Sequence, residues 1–249
     1  MAAILETKGL VMQFGALRAI DHIDLSIEEG ELRAIIGPNG AGKSTFFNLV
    51  TGFLGPTRGS IFLKGHEITG LRPDQISKRG IARSYQVTNL FPNLTAYENV
   101  RIAAQSTMGT FNPLIHFTAI REVAERTHKI LDILNLSERS GFTASTLSHG
   151  EQRRLEIALG LATSPLLLLL DEPTAGMSPT ETDEIIHLIK KISNDLTIII
   201  VEHDMKVVME LAQKISVLHY GKVIAEGSPD QIRNNEMVLE VYLGGKAKR

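Results

Sequence analysis

The chain has 249 residues, and its 26 basic and 28 acidic residues give a net charge of −2. This length allows one large domain or two small ones, and the lack of a basic excess argues against a nucleic-acid partner. There is no cysteine, which excludes disulfides, zinc–thiolate sites and thiol nucleophiles. We expect a soluble chain, because no signal peptide precedes it and its apolar runs are far shorter than the ~18–20 residues that span a bilayer.

Apolar runs at 4–14 and 21–28 predict antiparallel strands, and Leu32–Ile36 predicts a buried strand. The further strands are expected at 61–64, 81–86, 166–170, 197–201, 215–219 and 222–225. Helices are expected at 42–50, 73–78, 93–105, 119–134, 147–162, 178–191, 205–212 and after 228. Residues 106–118 show no period and are interpreted as a loop or insertion, and 87–163 as a helical subdomain inserted into an α/β core.

The stretch GPNGAGKST follows the strand Leu32–Ile36 and fits the pattern G-x-x-x-x-G-K-[ST]. Glycines allow the backbone to turn successive N–H groups inward, and the helix that follows directs its positive end at the same anion. Lys43 is expected to reach the β- and γ-phosphates, and the Ser44 hydroxyl to ligate Mg²⁺. The alternative is a plain glycine-rich turn. The predicted phosphate-binding residues are Gly37, Pro38, Asn39, Gly40, Ala41, Gly42, Lys43, Ser44 and Thr45.

The apolar run at 166–170 ends in Asp171-Glu172-Pro173. A strand that ends in aspartate beside a phosphate loop delivers a carboxylate to the Mg²⁺ shell, and Glu172 is placed to polarise an attacking water. The alternative is an acidic turn at a strand end, which the upstream phosphate loop disfavours.

Three further residues are candidates on weaker grounds. His203 follows a buried strand at its C-terminal end, where it could donate to the γ-phosphate, or it could simply enter a helix capped by Asp204. Gln86 could contact Mg²⁺ or the attacking water, or be an ordinary polar residue. Phe14 could stack on adenine, or be a core aromatic.

A second helix start lies at 147–162, where Ser148 followed by Glu151 predicts a capping box.

Five features follow one another along the chain: GPNGAGKST, Gln86, LSHGE, LLLLLDEP and His203. In this order and spacing they resemble the ATP-binding subunit of ABC transporters, and the resemblance covers nearly the whole chain. The resemblance implies an α/β P-loop NTPase (RecA-like) core with a parallel sheet, an N-terminal antiparallel β subdomain and an inserted helical subdomain. The core would comprise 1–86 and 164–249, and the helical signature subdomain 87–163.

The same resemblance assigns roles to single residues. It makes Phe14 the adenine-stacking aromatic, Glu172 the general base and His203 the switch histidine. It places Ser44, Gln86 and Asp171 around Mg²⁺, and makes Gln86 the Q-loop link to membrane subunits. Residues 147–151 match the signature, and 175–179 match the D-loop. The implied ligands are ATP and Mg²⁺.

The signature also implies a partner. Ser148, His149, Gly150 and Glu151 would bind the γ-phosphate of ATP held by a second ATPase subunit, identical or different, so that two subunits enclose two ATP molecules head to tail. LSHGE departs from the common LSGGQ at His149, and Ser178 stands where the D-loop usually has aspartate. Ser148, Gly150 and the carboxylates remain, so we expect these departures to affect only the rate of hydrolysis.

Several stretches are closer still to the branched-chain amino-acid importer ATPases, and to the longer of their two types: RSYQVTNLFPNLTAYENV, GEQRRLEIA, VEHDMKVVM and EGSPDQIRNNEMVLEVYLG. This implies integral membrane permease subunits, indirectly a solute-binding protein, and a cytoplasmic position on the inner face of the membrane. Urea and amide importers are the near alternative, since solute specificity resides in the other subunits.

Three other classes of protein agree less well with the sequence. A GTPase or small-molecule kinase is disfavoured because no Asn-Lys-x-Asp motif is present. A non-transport ABC ATPase acting on nucleic acid or ribosomes usually carries two phosphate loops or a long coiled coil, and this sequence shows one loop and no long heptad run. A regulatory module that does not hydrolyse ATP is disfavoured by Glu172.

Overall fold

The computed structural model describes residues 3–84, 90–106 and 117–243. Within these ranges the strands are β1 (Ala3–Phe14), β2 (Leu17–Glu28), β3 (Leu32–Ile36), β4 (Arg58–Leu63), β5 (His66–Glu67), β6 (Ile81–Arg83), β7 (Leu167–Asp171), β8 (Thr197–Val201), β9 (Lys214–His219) and β10 (Lys222–Gly227). The helices are α1 (Lys43–Val50), α2 (Pro73–Lys78), α3 (Ala96–Gln105), α4 (Phe117–Ile133), α5 (His149–Ala162), α6 (Pro179–Ser193), α7 (Met205–Leu211), α8 (Pro229–Arg233) and α9 (Glu236–Leu243).

The described strands form two sheets, and the larger one carries the candidate site. Its order is β10-β9-β3-β8-β7-β6, with parallel pairing from β6 to β9 and an antiparallel β10 at the edge. The smaller sheet is antiparallel in the order β2-β1-β4-β5. The predicted combination of a parallel core with an N-terminal antiparallel sheet is therefore confirmed.

The central strands are apolar on both faces because each face covers a separate core. In β7, Leu168 and Leu170 pack with the helices on one side, whereas Leu167 and Leu169 pack with α1 and the antiparallel sheet on the other. All four side chains are fully buried. This is the pattern expected for a parallel sheet covered on both faces.

The helical part of the chain packs mainly on itself and on one end of the large sheet. Helices α3, α4 and α5 contact one another, and α5 also contacts β6 and β7. Thr95 and Ser148 begin α3 and α5 with complete capping boxes, each closed by a glutamate three residues later. None of the helices in the described ranges is long and apolar enough to cross a membrane.

Some predicted boundaries shift. The strand expected at 81–86 ends at Arg83, and the helix expected from residue 93 starts at Ala96 because Thr95 caps it. Helix α4 begins at Phe117, inside the stretch that was expected to be a loop. Residues 85–89, including Gln86, and 107–116 lie outside the described residues.

Candidate nucleotide site

The glycine-rich loop connects the C-terminal end of β3 to the first turn of α1. Its first and last glycines are required by close backbone approaches. A Cβ atom on Gly37 would lie 2.1 Å from the carbonyl oxygen of Leu218, and one on Gly42 would lie 2.6 Å from that of Ala19. Gly42 also has φ +108°, a conformation that side chains disfavour. The loop is thus wedged between β2 and β9, which fixes its position at the sheet end.

Lys43 lies under this loop. Its Nζ donates to the carbonyl oxygens of Gly37 (2.7 Å) and Pro38 (3.1 Å), and the residue is 6% exposed. Burial lowers the pKa of the Lys43 amine, and the nearby charges of Glu172 and Asp171 oppose that shift. The Lys43 amine is therefore near enough to the two acidic residues at the end of β7 for their charges to act on it.

The start of α1 is suited to an anion. Ser44 is exposed in the first turn, no acidic side chain lies in that turn, and the N-cap is Gly42, which provides no capping oxygen. The N–H groups of such a turn and the helix dipole attract negative charge.

A cleft of about 430 Å³ opens above the loop, within the size range of small-ligand sites. The described residues that line it are Phe14, Leu17, Arg18, Ala19, Asn39, Gly40, Ala41, Gly42, Lys43, Ser44, Thr45, Glu172, His203 and Tyr220. Five regions that are separate in sequence therefore meet around one space. Phe14 is 46% exposed at its rim, so the alternative of a core aromatic is wrong.

Glu172 and His203 meet directly. Nε2 of His203 lies 2.7 Å from Oε1 of Glu172. The two residues follow the adjacent strands β7 and β8, and the Glu172 N–H donates to the carbonyl of Val201 at 2.8 Å. Buried Glu202 reinforces this link, because its carboxylate accepts from the backbone N–H and the hydroxyl of Thr174.

Asp171 forms an ion pair with Arg83, which is not among the site residues predicted from the sequence. Its Oδ2 accepts from Nη2 of Arg83 at 2.8 Å, and Arg83 also donates to the amide oxygen of Asn48 on α1 at 2.6 Å. Both side chains of the ion pair are more than nine-tenths buried. Arg83 thus ties β6, β7 and α1 together beside the phosphate loop.

The signature stretch 147–151 lies at the start of α5, and none of its residues is among the described residues that line the cleft. Ser148 Oγ accepts from the Glu151 N–H, while the Glu151 carboxylate accepts from the Ser148 N–H at 2.8 Å and from Arg139 at 2.8 Å. These contacts lower the pKa of Glu151, with the Ser148 backbone bond as the largest cause.

Gly150 of the signature packs closely against a side chain of α6. An added Cβ would lie 2.8 Å from Oε1 of Glu181, the residue that closes the capping box of α6 with Ser178. His149 is exposed and lies near Gly176 of the D-loop stretch. The signature and the start of α6 are therefore in contact.

Comparison with protein families identifies the chain. The model described as ABC transporter matches residues 20–175, which is more than half of the sequence. The chain belongs to the ABC transporter family. A second model, described as branched-chain amino acid ATP-binding cassette transporter, matches residues 222–248.

Individual relatives agree with this assignment. The chain is 43% identical to the high-affinity branched-chain amino acid transport ATP-binding protein BraF of Pseudomonas aeruginosa, over 97% of this chain and 98% of BraF. It is similar to the ADP conformation of MJ1267, an ATP-binding cassette of an ABC transporter, with a TM-score of 0.85 and 29% identity over 98% of this chain and 100% of MJ1267. A dimeric post-hydrolysis structure of the cassette MJ0796 with ADP and Pi has a TM-score of 0.76 and 28% identity over 90% and 98%. The chain is accordingly a nucleotide-binding ATPase of the ABC type.

This ABC ATPase has one more buried residue that sequence reasoning missed. Arg153, on α5, donates through Nη2 to the carbonyls of Asp171 (2.5 Å) and Glu172 (2.7 Å) and through Nε to that of Pro173 (3.2 Å). Its Nη1 pairs with Glu156 at 2.5 Å. Glu172 has φ +48°, so the guanidinium supports a backbone turn that a glutamate rarely adopts.

Glu156 completes this arrangement within α5. Burial raises its pKa, and the bond to Arg153 opposes that rise. Nothing in the sequence distinguishes Arg153 from the adjacent Arg154, which lies 3.8 Å from Glu184 in a partly exposed pair. Only the packing of α5 against the end of β7 separates their roles.

Proposed function

We propose that this chain is the ATP-hydrolysing subunit that drives an importer of branched-chain amino acids. The observation that carries the proposal is similarity over the whole chain to a branched-chain amino acid transport ATP-binding protein, together with the match of residues 222–248 to a branched-chain cassette model. The solute itself would be selected by the other subunits of the importer.

ATP would bind with its phosphates in the loop Gly37–Thr45 and its base toward Phe14. The exposed Ser44 and the buried Lys43 lie at the start of α1, and this helix start lines the cleft. On binding, Lys43 would exchange its bonds to the loop carbonyls for bonds to β- and γ-phosphate oxygens. The loop already has the turn it needs, because Gly37 and Gly42 are wedged against neighbouring backbone.

The residues fit a magnesium ion held partly by substrate. Among the described residues no group of three or more His, Asp or Glu side chains could hold a metal alone. Mg²⁺ commonly takes one or two protein oxygens plus substrate phosphates, and Ser44 and Asp171 supply such oxygens, with Gln86 as the further proposed ligand. When bound, the ion would neutralise charge on the β- and γ-phosphates. Arg83 would keep the Asp171 carboxylate oriented.

Hydrolysis would use the pair formed by Glu172 and His203. Glu172 is 20% exposed in its side chain and lines the cleft, so its carboxylate can accept a proton from water that attacks the γ-phosphorus. His203, in contact with Glu172 at 2.7 Å, would donate from its ring to a γ-phosphate oxygen. The proton goes to Glu172 as the bond between the γ-phosphorus and the bridging oxygen of ADP breaks.

The signature would act on ATP held by a second ATPase subunit. Residues 148–151 begin α5 and are not among the described residues that line the cleft of their own chain, and we place Ser148, His149, Gly150 and Glu151 at the nucleotide of a partner. A relative of the same fold forms a dimer with ADP and Pi bound. The γ-phosphate provides the contacts that ADP lacks, which is what a switch between closed and open pairs requires.

The closing and opening of the subunit pair would be transmitted to membrane permease subunits through the helical part of the chain, 87–163. A cleft of about 300 Å³ lies between this part and the core, lined in its described portion by α2, β6, α3 and α5 residues such as Ile76, Ala103 and Leu159. A permease segment bound in this cleft would contact α5 and would be displaced when α5 moves against β7. We therefore place the chain on the cytoplasmic face of the membrane, with a solute-binding protein as an indirect partner.

The test is the mass of the Glu172→Gln variant in solution, with and without ATP and Mg²⁺. Loss of the base should retain ATP and trap the closed pair, giving an ATP-dependent change from monomer to dimer. The control is Glu172→Gln combined with Lys43→Ala, which should stay monomeric because its nucleotide affinity is reduced. Equal ATPase rates in the wild type and Glu172→Gln would overturn the assignment of the base. A variant that binds ATP and never dimerises would overturn self-pairing and point to a different partner chain.

A further inference from the structure

The turn between β9 and β10 places an exposed tyrosine at the rim of the nucleotide cleft. Tyr220 is 79% exposed, and it lines the same cleft as Phe14 and Leu17, which are 46% and 67% exposed. Large apolar surfaces are costly to leave in water, and a cluster of them around one opening marks a binding site. Phe14 and Leu17 flank the turn between β1 and β2, and the turn that carries Tyr220 is bonded to the same strand β2 at Asp21.

The backbone at Tyr220 is unusual for an aromatic residue. Tyr220 has φ +44° and Gly221 has φ +77°, so both residues of this two-residue turn are left-handed, as in a type I′ hairpin. Asparagine, aspartate or glycine suits the first position of such a turn, whereas a bulky side chain there is strained. A tyrosine at this position is strained and, being 79% exposed, fills no core.

The turn is fixed to the phosphate loop, so the ring has a defined place relative to bound phosphates. The N–H of Gly221 donates to the carbonyl of Ala41 at 2.9 Å, and the carbonyl of Gly221 accepts from the Asp21 N–H at 2.8 Å. A Cβ on Gly221 would lie 2.7 Å from the carbonyl oxygen of Ala19, so the turn packs tightly against β2. The Tyr220 ring also packs on His219, with 4.2 Å between ring centroids.

We propose that Tyr220 is a second base-binding residue, which contacts the nucleobase of the bound nucleotide in addition to Phe14. The proposal rests on the nucleotide site described above and extends it from one aromatic contact to two. Stacking between a base and an aromatic ring typically contributes about tenfold in affinity, and it requires only the flat face of the ring. The phenol oxygen is not required.

The test compares ADP with pyrophosphate, each with Mg²⁺, by titration calorimetry. ADP carries the base and does not close the subunit pair, whereas pyrophosphate has no base. The variants are Tyr220→Asn, which suits the left-handed backbone, and Tyr220→Phe, which keeps the ring. Lys64→Asn is the matched control, because Lys64 (φ +46°) and Gly65 (φ +76°) form the same kind of turn between β4 and β5, remote from the cleft.

Tyr220→Asn should weaken ADP binding about tenfold, leave pyrophosphate binding unchanged and melt at the wild-type temperature or above. Tyr220→Phe and Lys64→Asn should bind ADP as the wild type does. Unchanged ADP affinity in Tyr220→Asn would overturn the proposal, and so would an equal loss for ADP and pyrophosphate, which would mean a displaced loop. A wild-type protein that binds pyrophosphate but not ADP would instead overturn the nucleotide site itself.

Discussion

Replacing Arg153 tests whether the signature helix holds the catalytic turn. The Arg153→Leu change removes hydrogen bonds to three successive carbonyls, those of Asp171, Glu172 and Pro173, and leaves Glu156 buried without its cation. Breaking one side of a buried ion pair costs about 3–5 kcal/mol. Against a typical total stability of about 5–15 kcal/mol, the variant should fold and be markedly less stable.

A second variant separates stability from catalysis. In Arg153→Leu combined with Glu156→Leu the unpaired carboxylate is gone, and apolar replacement of a buried pair is often close to neutral, so most of the lost stability should return. The carbonyls at the catalytic turn still lack the guanidinium. Glu172 should therefore be misplaced, and kcat should stay about 10²-fold below the wild type, the effect expected of a displacement near 1 Å.

The assays are denaturant unfolding for the free energy, steady-state hydrolysis for kcat and titration for ATP affinity, which should remain unchanged because Arg153 does not line the cleft. The control is Lys190→Met, which removes the exposed pair with Glu210 and should cost less than about 1 kcal/mol with no change in rate. A double variant that hydrolyses ATP at the wild-type rate would refute the positioning role. A loss below ~1 kcal/mol in the single variant would refute the energetic reasoning.

The other predictions concern single contacts. His203→Ala should lower kcat by about 10²-fold with ATP affinity retained, because the ring donor beside Glu172 is lost; equal rates would exclude this role. Gly40→Ala should destabilise the chain by about 1–3 kcal/mol through backbone strain alone. Gly42→Ala should destabilise it by a further ~1–3 kcal/mol, because its Cβ meets a β2 carbonyl oxygen at 2.6 Å. An equal loss of unfolding free energy in the two variants would contradict this contact. Tyr242 is 37% exposed, and the burial of the rest of its side chain raises its pKa to about 12, above the ~10 of an unfolded tyrosine. The stability that this pKa shift provides is therefore present below pH 10 and is lost as the pH rises toward 12. Over that pH range the melting temperature of Tyr242→Phe should fall less steeply than that of the wild type.

The sequence alone determined the features that depend on neighbours in the chain. The phosphate loop is contiguous, and its glycines, lysine and serine follow directly from Leu32–Ile36. The capping boxes at Ser148 and Ser178 are visible as a serine and a glutamate three residues apart, and both form as expected. Buried parallel strands are predictable from the sequence because both of their faces are apolar.

Only the tertiary structure decided which distant side chains meet. Arg83 and Asp171 are 88 positions apart, and their pairing follows from β6 lying beside β7. In the sequence Arg153 is one of two adjacent arginines, and the packing of α5 alone directs it onto the catalytic turn. Tyr220 reaches the nucleotide cleft because β9 lies next to β3 and its turn bonds to the phosphate loop. Periodicity reports which face of an element is apolar, whereas strand order and the packing of one element on another set these contacts across the chain.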